Sequence, residues 1–229
     1  MKPITLIRAG VAVAALTLAT MASAEMVLSQ VIVDLVPGKP PRDDIEVWNN
    51  SKDRMYVAAD PFEIRNPGTA TEARVPANDP EQSGLLVAPQ KLVLEPGERR
   101  LVRIAMVGPR PASDRIYRVS IRPVVGAVSA EQSALKVLVG YDTLVLIRPD
   151  QFTGDVVEER RGATLTLKNQ GNSSQELFDG RQCDLEGKDC RTLPAKRLYA
   201  GATWQQTLPF DTPVTYKAAL GPTVHARTF

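Results

Sequence analysis

Short apolar-rich runs, partly alternating with polar residues, make up most of the chain after its N-terminal segment. "MVLSQVIVDL", "DIEVWN", "MYVAADPFEI", "LLVAPQKLVLE", "RRLVRIAMV" and "RIYRVSIRPV" are such runs, and Pro, Gly, Asn or Asp punctuate them. In an extended chain the side chains at i, i+2 and i+4 share a face, so each run predicts a half-buried strand. No run after the N-terminal segment keeps a helical period. One stretch breaks the rhythm: "LKVLVGYDTLVLIRP", residues 135–149, is apolar on both faces, as in a strand covered on two sides. Fully extended it would reach about 50 Å, more than one small sandwich needs. Lys136 and Asp142 interrupt it, and it is shorter than the ~20 apolar residues of a membrane helix.

Seven strands with frequent turn signals predict an immunoglobulin-like β-sandwich over residues 25–149. In "LEPGERRLVRI", Pro96 fixes φ and Gly97 permits the next turn position, which marks a tight connection. After "RPDQFTG", read as a short hinge, the runs "ATLTLKN", "QELFDGRQC", "ATWQQTLPF" and "VTYKAAL" predict a second, smaller β-sandwich over 150–229, with fewer and weaker strands. The fold class is therefore all-β, two sandwich domains joined by a hinge.

Residues 1–24 read as a secretory signal peptide. Lys2 and Arg8 flank a basic start, an apolar run follows, and Ala22-Ser23-Ala24 offers a cleavage site before Glu25. Its removal takes two of 28 basic residues and leaves 26 basic against 26 acidic. A neutral mature chain gives no electrostatic case for nucleic acid, and without a basic amphipathic helix there is none for a membrane surface or for membrane insertion. Export also bears on Cys183 and Cys190: they sit seven positions apart in "CDLEGKDC", with Gly187 at the turn, and a local disulfide is expected. With one histidine, His225, and no second cysteine pair, neither a metal site nor another cofactor is implied.

The sequence carries no nucleophile elbow, phosphate-cradling glycine loop or zinc-protease helix. Asp43-Asp44 and Glu158-Glu159 are paired acids in loop-like stretches, expected to be solvated. The reading is of a binding protein, not an enzyme; an exported structural or adhesive β-sandwich of a surface fibre is the alternative.

Taken together, the signal peptide, "VAPQKLVLEPGERRLVRI", "YRVSIRPV", the long apolar strand ending in Arg148-Pro149 and the small second domain resemble the periplasmic pilus chaperones of the chaperone-usher pathway. "GRQCDLEGKDC" is more similar to the branches outside the PapD type. The resemblance implies a periplasmic chaperone whose pilus-subunit clients lack a final strand. The chaperone fills that groove with its own long strand and passes the client to an outer-membrane usher. Counting back from Arg148-Pro149, it places the donor side chains at Leu135, Val137 and Val139. The positions that usually anchor the client's terminal carboxylate with basic side chains hold Ile32 and Leu144 here, so Arg118 and Arg122, which share one face of "YRVSIRP", are the substitute candidates. It also implies an interdomain ion pair between Asp114 and Arg148, with a third, acidic position falling near Ala219 and hence incomplete or re-drawn.

Overall fold

The structure, a computed structural model, describes residues 25–124 and 138–229. The signal-peptide reading and the expected donor residues Leu135 and Val137 lie outside the described residues. Among the described residues ten strands precede the segment connecting the two sandwiches: β1 (Met26–Leu28), β2 (Ile32–Leu35), β3 (Arg42–Asn49), β4 (Met55–Arg65), β5 (Ala73–Pro76), β6 (Leu85–Ala88), β7 (Lys91–Leu94), β8 (Arg99–Met106), β9 (Arg115–Val124) and β10 (Tyr141–Ile147). They form two sheets, β1-β3-β8-β6 and β2-β10-β9-β4-β5, with β7 also on β4. Every pairing is antiparallel except β2 with β10. The facing sides interlock through Ile45, Val47, Val102 and Ile104 from one sheet and Val57, Val119, Ile121 and Val145 from the other, all buried.

Two runs that read as single strands are each divided between the sheets. "MVLSQVIVDL" gives β1, paired with β3, and then β2, paired with β10. The crossover is pinned where Ser29 exchanges hydrogen bonds with Glu46. "LLVAPQKLVLE" gives β6 on β8 and β7 on β4, broken at the cis Ala88–Pro89 peptide. Proline has no N–H for a ladder, so the strand ends there and the chain changes sheet. The Pro96-Gly97 turn forms as expected: Gly97 has φ 76° and Glu98 N–H donates to Glu95 O at 2.9 Å.

Beyond the hinge lie β11 (Val156–Arg161), β12 (Thr164–Asn169), β13 (Gln175–Cys183), β14 (Cys190–Leu193), β15 (Lys196–Leu198), β16 (Thr203–Thr207), β17 (Thr215–Leu220) and β18 (Thr223–Thr228). They make the sheets β11-β12-β16 and β14-β13-β17-β18, with β15 on β13, around Leu165, Leu167, Leu177, Val214, Tyr216 and Ala218. The four runs expected here are joined by four strands the alternation did not reveal. β11 and β18 are edge strands with almost every side chain in solvent, so backbone pairing forms them without an apolar rhythm. The paired acids also differ from expectation: Asp43-Asp44 lies in β3 and Glu158-Glu159 in β11, not in loops. Asp44 is held across the sheet by both nitrogens of the Arg103 fork at 2.9 Å, and that hydrogen bond keeps its carboxyl below the usual value.

Cys183 and Cys190 face each other across the β13–β14 hairpin and are disulfide-bonded; Gly187 has φ 70° at its tip. His225 is exposed on β18.

Candidate functional site

Of the stretch expected as one long strand over 135–149, the described part is a strand only in β10, Tyr141–Ile147, and what covers β10 explains its two apolar faces. Val145 and Ile147 enter the core of the first sandwich. Leu144 and Leu146, on the other face, pack with Ile116, Ile64 and Tyr199 of the second sandwich. Its backbone is covered less completely. β9 pairs with all of β10, from Tyr141–Ile121 to Ile147–Arg115, whereas β2 pairs only from Leu144 onward. The chain preceding β2 has crossed to the other sheet, so among the described residues no strand pairs with 138–143 on that side. Exposed apolar side chains mark the two ends of this open edge: Val31 at 49% and Ile32 at 45% exposure, and Val139 at 61%.

The outward face of the same sheet carries the arginines. Tyr117, Val119 and Ile121 point into the core and are fully buried, which turns Arg118 and Arg122 outward. Arg118 donates to Asp142 O at 3.1 Å and stands 3.9 Å from its carboxylate; Arg122 donates to Asp60 at 3.0 Å. Arg74 of β5 joins them, forking onto both oxygens of Asp142 at 2.8 and 3.1 Å while its guanidinium lies 4.2 Å from the Phe62 ring centre. Asp60, Ser120 and Asp142 are in register across β4, β9 and β10. Arg74, Ser120, Arg122, Leu138, Gly140 and Asp142 line a shallow pocket there. Gly140 is required for the close approach, because a Cβ would come within 2.8 Å of Arg122 Cβ. Three guanidiniums against two carboxylates leave one positive charge unmatched, and forked donors of this kind suit a carboxylate. Ile32 and Leu144, the positions usually basic, pair with each other across β2 and β10; Ile32 is exposed and Leu144 buried.

At the hinge end of β10, Arg148 has a side chain only 2% exposed. It forks onto Asp34 at 2.7 and 2.9 Å and donates to Asp114 at 2.9 Å, to Ser173 Oγ at 3.1 Å, and to the carbonyl and hydroxyl of Ser174 at 2.9 Å. Asp114 also accepts from Ser173 Oγ and from Ser174 N–H. Burial pushes the Arg148 guanidinium down, but the Asp34 hydrogen bond and the charges of Asp114 and Asp34 outweigh it and raise its pKa above the usual value. The second acid is thus Asp34, on the same domain as Arg148. The position near Ala219 takes no part: Ala219 pairs with Glu176 and Val224 inside the second sandwich, which supplies Ser173 and Ser174 instead. Arg110 adds a strap, donating to the carbonyls of Leu35, Val36 and Arg148.

Sequence reasoning missed Asp34, Asp60, Arg74 and Asp142. Three of the four had a signal, an acid inside an otherwise apolar strand: "VIVDL", "VAADPF" and "GYDTLVL". In the structure each of these acids meets an arginine: Asp34 meets Arg148, Asp60 meets Arg122 and Asp142 meets Arg74.

No family model matches the chain. Among curated proteins it is similar to the probable fimbrial chaperone EcpE of Escherichia coli. It is 30% identical to the O127:H6 protein over 185 residues, covering 75% of this chain and 74% of that one. It is 33% identical to the K12 protein over 149 residues, where it spans 58% of that relative's length. Among solved structures, the class 5 fimbriae chaperone CfaA superposes with a TM-score of 0.66 at 21% identity, over 89% of this chain and 98% of that one. The SafB chaperone in complex with Salmonella enterica SafA pilin gives 0.61 at 16%, over 90% and 96%. The two sandwiches are immunoglobulin-like, and the chain belongs to the fimbrial chaperones.

Proposed function

We propose that this protein is a periplasmic chaperone that holds a fimbrial subunit by strand donation and hands it to an outer-membrane usher. The observation that carries the reading is the open edge at the start of β10, Tyr141 to Thr143, and in the extended approach 138–140, next to exposed apolar side chains, in a sandwich whose other described strands are paired. An open edge supplies backbone donors and acceptors to an added strand of almost any sequence, so selectivity falls to side chains entering the client's groove. Those are Leu135, Val137 and Val139, at i, i+2 and i+4. Arg118 or Arg122 receives the client's carboxylate. The Asp114–Arg148 pair, with Asp34, holds the two domains at the angle that leaves this face accessible. Binding alone does the work; no catalytic step is involved.

The test is co-expression with small exported immunoglobulin-like subunits, looking for a one-to-one complex. Val137→Asp and Val139→Asp would put a carboxylate into an apolar groove at a cost of several kcal/mol, abolishing capture while the free protein melts normally. Val145→Asp, in the core, unfolds the protein itself. If Val139→Asp still captures its client, or melts like Val145→Asp, the donor assignment is wrong.

A further inference from the structure

Arg74 belongs to a strand separated from β10 by both β4 and β9, yet its side chain crosses the sheet over Phe62 to reach Asp142. Nothing buried depends on this reach, since Arg74 and Asp142 are each more than a third exposed. A bridge so exposed contributes little to stability. Its geometry is informative for another reason. The two oxygens of Asp142 lie against the two terminal nitrogens of Arg74, and one of them faces Arg118. That is the arrangement an incoming carboxylate would adopt on the same arginines.

We propose that Asp142 is an internal stand-in for the client's carboxylate, and that Arg74 is a third, specificity-setting arm of the anchor. The inference rests on the reading that this face receives a carboxylate. In the free protein Asp142 occupies Arg74 and part of Arg118. An arriving carboxylate exchanges with it, so a fork of equal geometry replaces the one lost and the arginines are never left without an acceptor. The cluster's excess of positive charge, to which Lys91 beside Asp60 and Arg122 adds, sets the ligand class: an anionic group, such as a chain terminus, offsets it. Exchange also makes the site selective, because a partner without a carboxylate offers nothing to displace Asp142.

The experiment uses the full chaperone and a synthetic peptide of the last ten residues of the subunit captured in co-expression, with a free carboxylate or a terminal amide, titrated by fluorescence anisotropy. Wild type binds the carboxylate form more tightly than the amide. Asp142→Asn, lacking the competitor, gains about tenfold for the carboxylate peptide and nothing for the amide, the scale of one charge-assisted hydrogen bond. Arg74→Gln loses about tenfold for the carboxylate peptide alone, and Arg74→Lys, which keeps the charge but not the fork, recovers only part. In Asp142→Asn/Arg74→Gln the gain disappears. Thermal melts matching wild type establish that each variant is folded; Asp142→Ser serves if the asparagine perturbs β10. If wild type fails to distinguish carboxylate from amide, the arginine face is not the anchor. If it does distinguish them but neither Asp142→Asn nor Arg74→Gln alters the ratio, the anchor stands and the exchange is refuted.

Discussion

Two arginine clusters sit on β9, β10 and their flanks and solve the same electrostatic problem in opposite ways. At the hinge, Arg148 is excluded from water, and each nitrogen of its guanidinium meets oxygen: two carboxylates, two hydroxyls and a carbonyl. On the outward sheet face, Arg74, Arg118 and Arg122 are between a third and a half exposed and share two aspartates. The first site has more acid than base; the second has more base than acid. Where water is absent, a cation must be fully matched by the fold, because an unpaired buried charge is very costly. Where water remains, a shortfall is tolerated, and an unmatched charge is left over for a ligand. The contrast separates a site satisfied within the fold from one with positive charge to spare, which is where we propose that the partner binds.

The largest expected effect breaks the closed site. Arg148→Met leaves Asp114 buried without its cation and should cost about 3–5 kcal/mol of unfolding free energy, measured by urea denaturation followed by circular dichroism. Arg148→Lys should recover less than half of the loss, since one ammonium cannot fork onto Asp34 and still reach Asp114. A loss below about 1 kcal/mol for Arg148→Met would mean that Arg110 and the surrounding packing carry the junction alone.

An intermediate case tests whether exposure is the variable that matters. Asp155, half exposed, accepts from Gln175 at 3.0 Å, from Val156 N–H at 2.7 Å and from the mostly buried Arg227. Burial pushes its carboxyl up, but these hydrogen bonds and the Arg227 charge outweigh it and hold the pKa below the ordinary 3.8. A depressed carboxylate contributes stability that is present above its unfolded value and lost as the pH falls through the folded one. Asp155→Asn should therefore lower stability at pH 7 by no more than about 1 kcal/mol, as suits a half-exposed pair. The gap to wild type should close as the pH drops below the ordinary carboxylate range. A gap that widens in acid would reverse the assignment.

The closed site was half legible in the sequence and the open one less so, for a physical reason. Asp114 and Arg148 could be matched by position to a known family. Asp34 could not, because whether an acid in "VIVDL" meets a cation depends on β2 lying parallel to β10, a pairing with no local signature. Arg74 was less visible still: β5 is a four-residue edge strand with no buried side chain, and only the order of strands in the sheet turns its arginine toward Asp142. Alternation reports burial, so it found the strands that face a core and passed over β5, β11 and β18, which exist by backbone pairing at an edge. It also ran β1 into β2 and β6 into β7, since a strand that changes sheets keeps its rhythm while changing its partner.

The smallest expected effect on stability is the sharpest test of the comparison. Arg118→Gln combined with Arg122→Gln removes two arginines from the open face, one more than the change that should cripple the hinge. Their partners Asp142 and Asp60 are exposed enough to return to water, and Asp142 keeps the Arg74 fork. Unfolding free energy should stay within about 0.5 kcal/mol of wild type, the range of ordinary surface substitutions. Capture of a co-expressed subunit should nevertheless fall at least tenfold, because an acceptor aimed at this face loses a charge-assisted hydrogen bond. The pair of measurements distinguishes the two kinds of site: stability lost with capture intact would make the open face a second brace for the fold, while stability kept and capture lost is what an unmatched, solvent-facing charge predicts.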